Sequence, residues 1–77
     1  MNELRFYLDL TPERYLRYYR GTAKVVSVLS IEGKRLEFPA ERLRPFVTHE
    51  GVRGLFALQF DNNNRFVALK RIAELPN

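Results

Sequence analysis

The chain has no cysteine, no tryptophan and only one histidine. Without cysteine there is no disulfide framework, no thiol nucleophile and no thiolate to hold a metal. A zinc site draws on several Cys or His ligands, so His49 alone excludes the usual ones. Its setting in "VTHEG", beside Glu50, reads as a solvent-facing loop. Glycine is scarce too: the four present are scattered and form no phosphate-cradling loop. Ser27 and Ser30 lie in a strand-like stretch that lacks the glycines of a nucleophile elbow. No spacing singles out a pair of carboxylates. The expectation is therefore a non-enzymatic protein with no catalytic residues, no cofactor and no metal. No apolar run is long enough to span a membrane, and the first residues lack a signal-peptide core. These absences predict a cytoplasmic protein that does not enter membranes.

What is present fits one small domain over residues 1–77, with 45% hydrophobic and 29% charged residues. A chain of this size buries only about 60% of the surface it exposes when unfolded, so its core is thin and large ligand cavities are not expected.

Hydrophobic periodicity gives the order of elements. In "LRFYLDL" (4–10), Leu4, Phe6, Leu8 and Leu10 alternate with Arg5, Tyr7 and Asp9, as in a half-buried strand. "TPER" then starts a helix: Thr11 caps it, Pro12 suits its first position, and Glu13 sits in its first turn. Gly21 is a natural stop, which predicts a helix over 12–20. At about 100° per residue, Tyr15, Leu16 and Tyr19 fall on the face expected to pack, with Arg14 and Arg17 opposite and Tyr18 on the flank. Arg20 is placed near the buried edge, where a cation suits a helix C-terminus.

Residues 23–31 are rich in β-branched types, and "RLEF" follows a turn at "IEGK". A two-residue turn would pair Leu29 with Leu36. A three-residue turn ending in a left-handed Gly33 puts Val26, Val28, Leu36 and Phe38 on one face, and is preferred because it buries more apolar surface. In 38–51, Pro39 starts one helical turn through Leu43, Pro45 discourages helix at Arg44, and Leu43, Phe46 and Val47 are expected to pin the connection. "VRGLFALQF" (52–60) is a strand with Phe56, Leu58 and Phe60 inward, and "DNNN" is a turn. The closing segment suits a strand over 65–72, although its Ala, Leu, Lys and Glu also suit a helix. The fold class is thus α+β: an antiparallel sheet of about five strands with one helix, in the order β-α-β-β-β-β. The alternative is a ferredoxin-like βαββαβ fold with 65–75 helical.

Net charge is +4, and ten of the thirteen basic residues are arginine, whose planar fork suits phosphates and aromatic rings. Two clusters stand out as a nucleic-acid grip for RNA or DNA: Arg14, Arg17 and Tyr18 on the helix, and Arg42, Arg44 and Arg53 in and after the central connection, near His49. "RGLFALQF" also overlays the third strand of the RNA-recognition motif at Arg53, Gly54 and Phe60. Leu55 and Ala57, however, stand where that motif has stacking aromatics. A solvated charged surface explains the same residues. The competing reading is a protein-interaction module that uses a sheet edge or the 38–47 connection. The oligomeric state stays open, a homodimer through an edge strand included.

The stretches "YRG", "FPAERLRPFVT", "EGVRGLFALQF" and "NRFVALKRI" carry a resemblance. From Phe6 to Ile72 the chain resembles a family of short bacterial proteins, mostly gammaproteobacterial, described as a domain of unknown function. The resemblance implies a stand-alone cytoplasmic domain. It brings no ligand, activity or site residue with it.

Overall fold

A computed structural model describes residues 2–20 and 24–75. In chain order its elements are β1 (Asn2–Leu10), α1 (Pro12–Tyr19), β2 (Val25–Leu29), β3 (Arg35–Pro39), a 3-10 helix (Ala40–Phe46), β4 (Val52–Phe60) and β5 (Phe66–Ala73). The fold is α+β and mostly sheet. The closing segment is a strand, so the ferredoxin-like alternative does not hold. The five strands do not share one sheet, as expected, but divide into two antiparallel sheets: β1-β4-β5 and the hairpin β2-β3. The hairpin reaches β1 through a backbone bond from Ile31 N–H to the Arg5 carbonyl (2.8 Å) rather than a ladder. It turns its apolar face toward the core that the larger sheet also faces.

Four phenylalanines join these parts. Phe6 and Phe56 are directly opposed across β1 and β4, fully buried and stacked with centroids 5.7 Å apart. Phe38 of the hairpin lies 5.7 Å from Phe6, and Phe46 of the 3-10 helix meets Phe56 edge-on at 5.3 Å. Each such pair contributes about 0.5–1.5 kcal/mol beyond the burial of its area. Leu43, Val26 and Val52 complete the fully buried set.

The hairpin register follows the three-residue turn. Val26 pairs with Phe38 and Val28 with Leu36. Ser30 N–H donates to the Lys34 carbonyl (2.8 Å), Gly33 N–H to the Ser30 carbonyl (2.9 Å), and Lys34 N–H to the Ser30 hydroxyl (3.0 Å). Ser30 is buried in that closure, and Gly33 takes the left-handed φ of 88° that the turn requires. "DNNN" folds in the same manner. The Asp61 carboxylate accepts from the amides of Asn63 and Arg65 (2.8 and 2.9 Å), and Asn64 adopts a φ of 62°.

Thr11 caps α1, its hydroxyl accepting from Arg14 N–H at 3.3 Å, while Arg20 closes the C-terminal end by donating to the Leu16 carbonyl (2.9 Å). The stop expected at Gly21 lies outside the described residues. The buried stripe differs from the expected one: Tyr15 is buried, Tyr18 packs half-buried against the core, and Leu16 is 40% exposed. Tyr15 and Tyr18 share a stripe at a spacing of three, and α1 packs against the 3-10 helix rather than lying across a sheet. That helix also runs past Leu43 and through Pro45 to Phe46. The place Phe46 gains against Phe56 outweighs the local bias before proline. Val47 lies beyond the turn and is exposed, so it does not pin the connection.

Two glycine substitutions should separate strain from collision. Gly33→Ala meets open space, so only the left-handed penalty applies, about 1–2 kcal/mol. Gly51 has a φ of 94°, and a Cβ there would run into the Leu10 carbonyl. Gly51→Ala should therefore cost clearly more than Gly33→Ala in urea unfolding, and equal losses would contradict this packing.

Candidate polyanion-binding face

Inward rotation of Tyr15 and Tyr18 leaves Arg14 and Arg17 exposed on α1, and Arg20 exposed at its C-cap. Among the described residues none of these three side chains has an ion-pair partner. The 3-10 helix brings Arg44 up to α1. A cleft of about 450 Å³ between the two elements is lined by Tyr15, Tyr18, Lys24, Glu41 and Arg44. A shallower apolar depression beside it, formed by Pro12, Leu16 and Val47, again includes Tyr15 and Arg44.

The second expected cluster does not stay together. Arg42 lies over the Phe66 ring, its guanidinium carbon 4.5 Å from the centroid. Arg53 is held by two carboxylates, Nε at 3.0 Å from Asp9 Oδ1 and Nη1 at 3.5 Å from Glu50 Oε2. His49 is exposed, with Nε2 3.8 Å from Glu50 Oε1. Of the residues named from sequence, Tyr18 and Arg44 line the cleft, Arg14 and Arg17 are exposed on α1, and Arg42 and Arg53 are engaged elsewhere. Tyr18 belongs to the cleft wall, since half of it packs on the core. Arg20 is exposed, not set at a buried edge as expected. Sequence reasoning passed over Lys24, for which a count of charge by segment is the signal.

That count is uneven. Residues 12–24 and 40–46 carry six basic side chains (Arg14, Arg17, Arg20, Lys24, Arg42 and Arg44) against two acids (Glu13 and Glu41). The rest of the chain carries seven basic and seven acidic residues. The whole net charge of +4 thus belongs to the two helical segments and the residues just after α1.

The outer face of the larger sheet balances its own charges. Glu3 accepts from Gln59 Nε2 (3.1 Å) and pairs with Arg5 Nε (3.2 Å). These contacts, Gln59 first, hold the Glu3 carboxyl below its ordinary pKa. Arg53, Leu55, Ala57 and Gln59 all alternate onto this face, where Ala57 is buried. The echo of the RNA-recognition motif thus falls on a sheet face whose stacking positions hold Leu55 and Ala57. Tyr7, opposite Leu55 and 60% exposed, is the aromatic on this face. No group of three or more His, Cys, Asp or Glu side chains is placed to hold a metal among the described residues, and none of their helices is long and apolar enough to cross a membrane.

The family model described as "Protein of unknown function (DUF2835)" matches residues 2–72. The chain belongs to that family. The match takes in every strand of DUF2835 described above apart from the last residue of β5, together with α1, the 3-10 helix and the cleft between them. No curated protein and no solved structure matches the chain.

Because its pKa is lowered in the fold, Glu3 contributes stability above its unfolded pKa and loses it as pH falls through the folded value. Glu3→Gln should therefore be less stable than the parent near about pH 7 and equal to it near about pH 2. Urea unfolding across that range checks this, and a pH-independent difference would contradict it.

Proposed function

We propose that the protein is a small non-enzymatic domain that binds the backbone of RNA or DNA through the face formed by α1 and the 3-10 helix. The observation that carries this reading is the confinement of the net charge to those two segments and the residues Arg20 and Lys24 that follow α1. Arg14, Arg17, Arg20 and Lys24 are the contacts, with Arg44 at the cleft beside them; Arg42 and Arg53 are left out because a ring and two carboxylates already engage them. Phosphate recognition needs cations that are not neutralised at home, and α1 with its C-cap supplies three. The reading rests on charge, which engages the backbone, so the expected preference is for charge and shape rather than sequence.

In the interaction-module alternative, Ala40, Leu43 and Phe46 of the 38–47 connection pack on the core, so exposed Val47 and a sheet edge are the places for a protein partner.

Binding of this kind releases counterions, so log K should fall with log salt by about 0.9 per phosphate neutralised on duplex DNA. Three to five contacts predict a slope between about −3 and −4.5. The double variant Arg14→Ala/Arg17→Ala should flatten the slope by about two, while Arg53→Ala should leave it unchanged. Fluorescence anisotropy with short RNA and DNA oligomers measures both. Binding no tighter than about 1 mM at low salt, or a slope as sensitive to Arg53 as to Arg14 and Arg17, would end the proposal.

A further inference from the structure

β3 is laddered on one side only, to β2, and its free edge has a definite pattern. The bond from Ser30 N–H to the Lys34 carbonyl and the bond from Ala40 N–H to the Lys24 carbonyl, both 2.8 Å, mark the ends of one ladder. Bonded and non-bonded pairs alternate along an antiparallel ladder, so Val28 with Leu36 and Val26 with Phe38 are the bonded pairs between them. Arg35 and Glu37 therefore aim both N–H and C=O away from β2. Among the described residues neither makes a backbone bond to another element. A groove of about 570 Å³ runs beside this edge, with Leu4, Leu58, Phe60 and Phe66 in its lining.

Both edges of the larger sheet are less open to a second copy. The outer edge of β1 takes the Ile31 N–H at Arg5. β5 carries Lys70 and Arg71 side by side after Arg65, the like charges that keep an edge from pairing with itself. β3 differs because its two charges are opposite in sign and two residues apart.

We propose that β3 is a homodimerisation edge, two copies pairing antiparallel about a two-fold axis at Leu36. In that register Arg35 faces the partner's Glu37, and Glu37 faces the partner's Arg35. These are the residues whose amides and carbonyls point outward, so backbone parity and charge select the same register. About four backbone hydrogen bonds form, and the two hairpins become one continuous four-stranded sheet. Half-buried Leu36 meets its equivalent on the axis, beside the groove. Arg35 already donates to the Ser27 hydroxyl at 3.0 Å, and its five donors leave room for the carboxylate as well. The interaction is isologous, so it closes at two copies. It does not depend on nucleic-acid binding.

The test is sedimentation equilibrium of the full chain, freed of nucleic acid, at about 0.15 M salt, where close ion pairs still act. A small interface of this kind predicts a dissociation constant of about 10–100 µM, and hence twice the 9.1 kDa chain mass at higher concentration. Arg35→Glu and Glu37→Arg should each weaken the dimer by about tenfold or more, since like charges then face each other on both sides of the axis. The double swap should restore it to within about threefold. Mixing the two single variants should also restore it, as a heterodimer, which shows at the same time that both fold. A parent chain still monomeric at about 500 µM would overturn the proposal. So would a dimer indifferent to the single reversals, or single variants that fail to recover on mixing.

Discussion

The structure depends on the stacked pair Phe6–Phe56. It lies where β1 and β4 cross the centre of the larger sheet, and both rings are fully buried. Phe38 brings the hairpin to one end of this pair and Phe46 brings the 3-10 helix to the other. Without ladder bonding between the two sheets, these ring contacts and the bond at Ile31 do much of what a continuous sheet does elsewhere. The position of α1 follows from the same arrangement. Phe46 fixes the 3-10 helix, α1 packs against that helix, and the cleft between them brings Arg44 to the tyrosines.

Charge is divided along the same structural line. On the outer face of the larger sheet, Glu3, Asp9 and Glu50 engage Arg5 and Arg53. Exposed pairs of this kind contribute little stability, typically below about 1 kcal/mol each, but they remove net charge from the face. The helical segments have no such balance. Glu13 and Glu41 are too few for the six cations beside them.

Local rules made much of this fold legible. Strict alternation revealed β1, the Gly33 turn set the hairpin register, and "DNNN" capped β4 as its side chains allow. The division into two sheets was not legible, because which strands share a ladder depends on how the Phe38 ring meets Phe6, a contact between residues 32 positions apart. The buried face of α1 was misread because Leu16 outranks Tyr18 in hydrophobicity, whereas the neighbour is a 3-10 helix that takes the tyrosine stripe. Arg14 and Arg17 could be placed from helical spacing alone. Arg42 and Arg53 could not, since their partners Phe66 and Asp9 are distant in sequence and only the fold shows that they are engaged.

The pairing of β1 with β4 also orders events in time. Phe6 and Phe56 are separated by most of the chain, so the larger sheet must close a long loop before its central contact forms. The β2–β3 hairpin closes over the three residues between Ser30 and Lys34 and needs no distant partner. On a ribosome, the hairpin can therefore form while β1 still waits for β4 to emerge. During that wait the alternating apolar face of β1 is uncovered, and the protein is most exposed to aggregation at its own first strand.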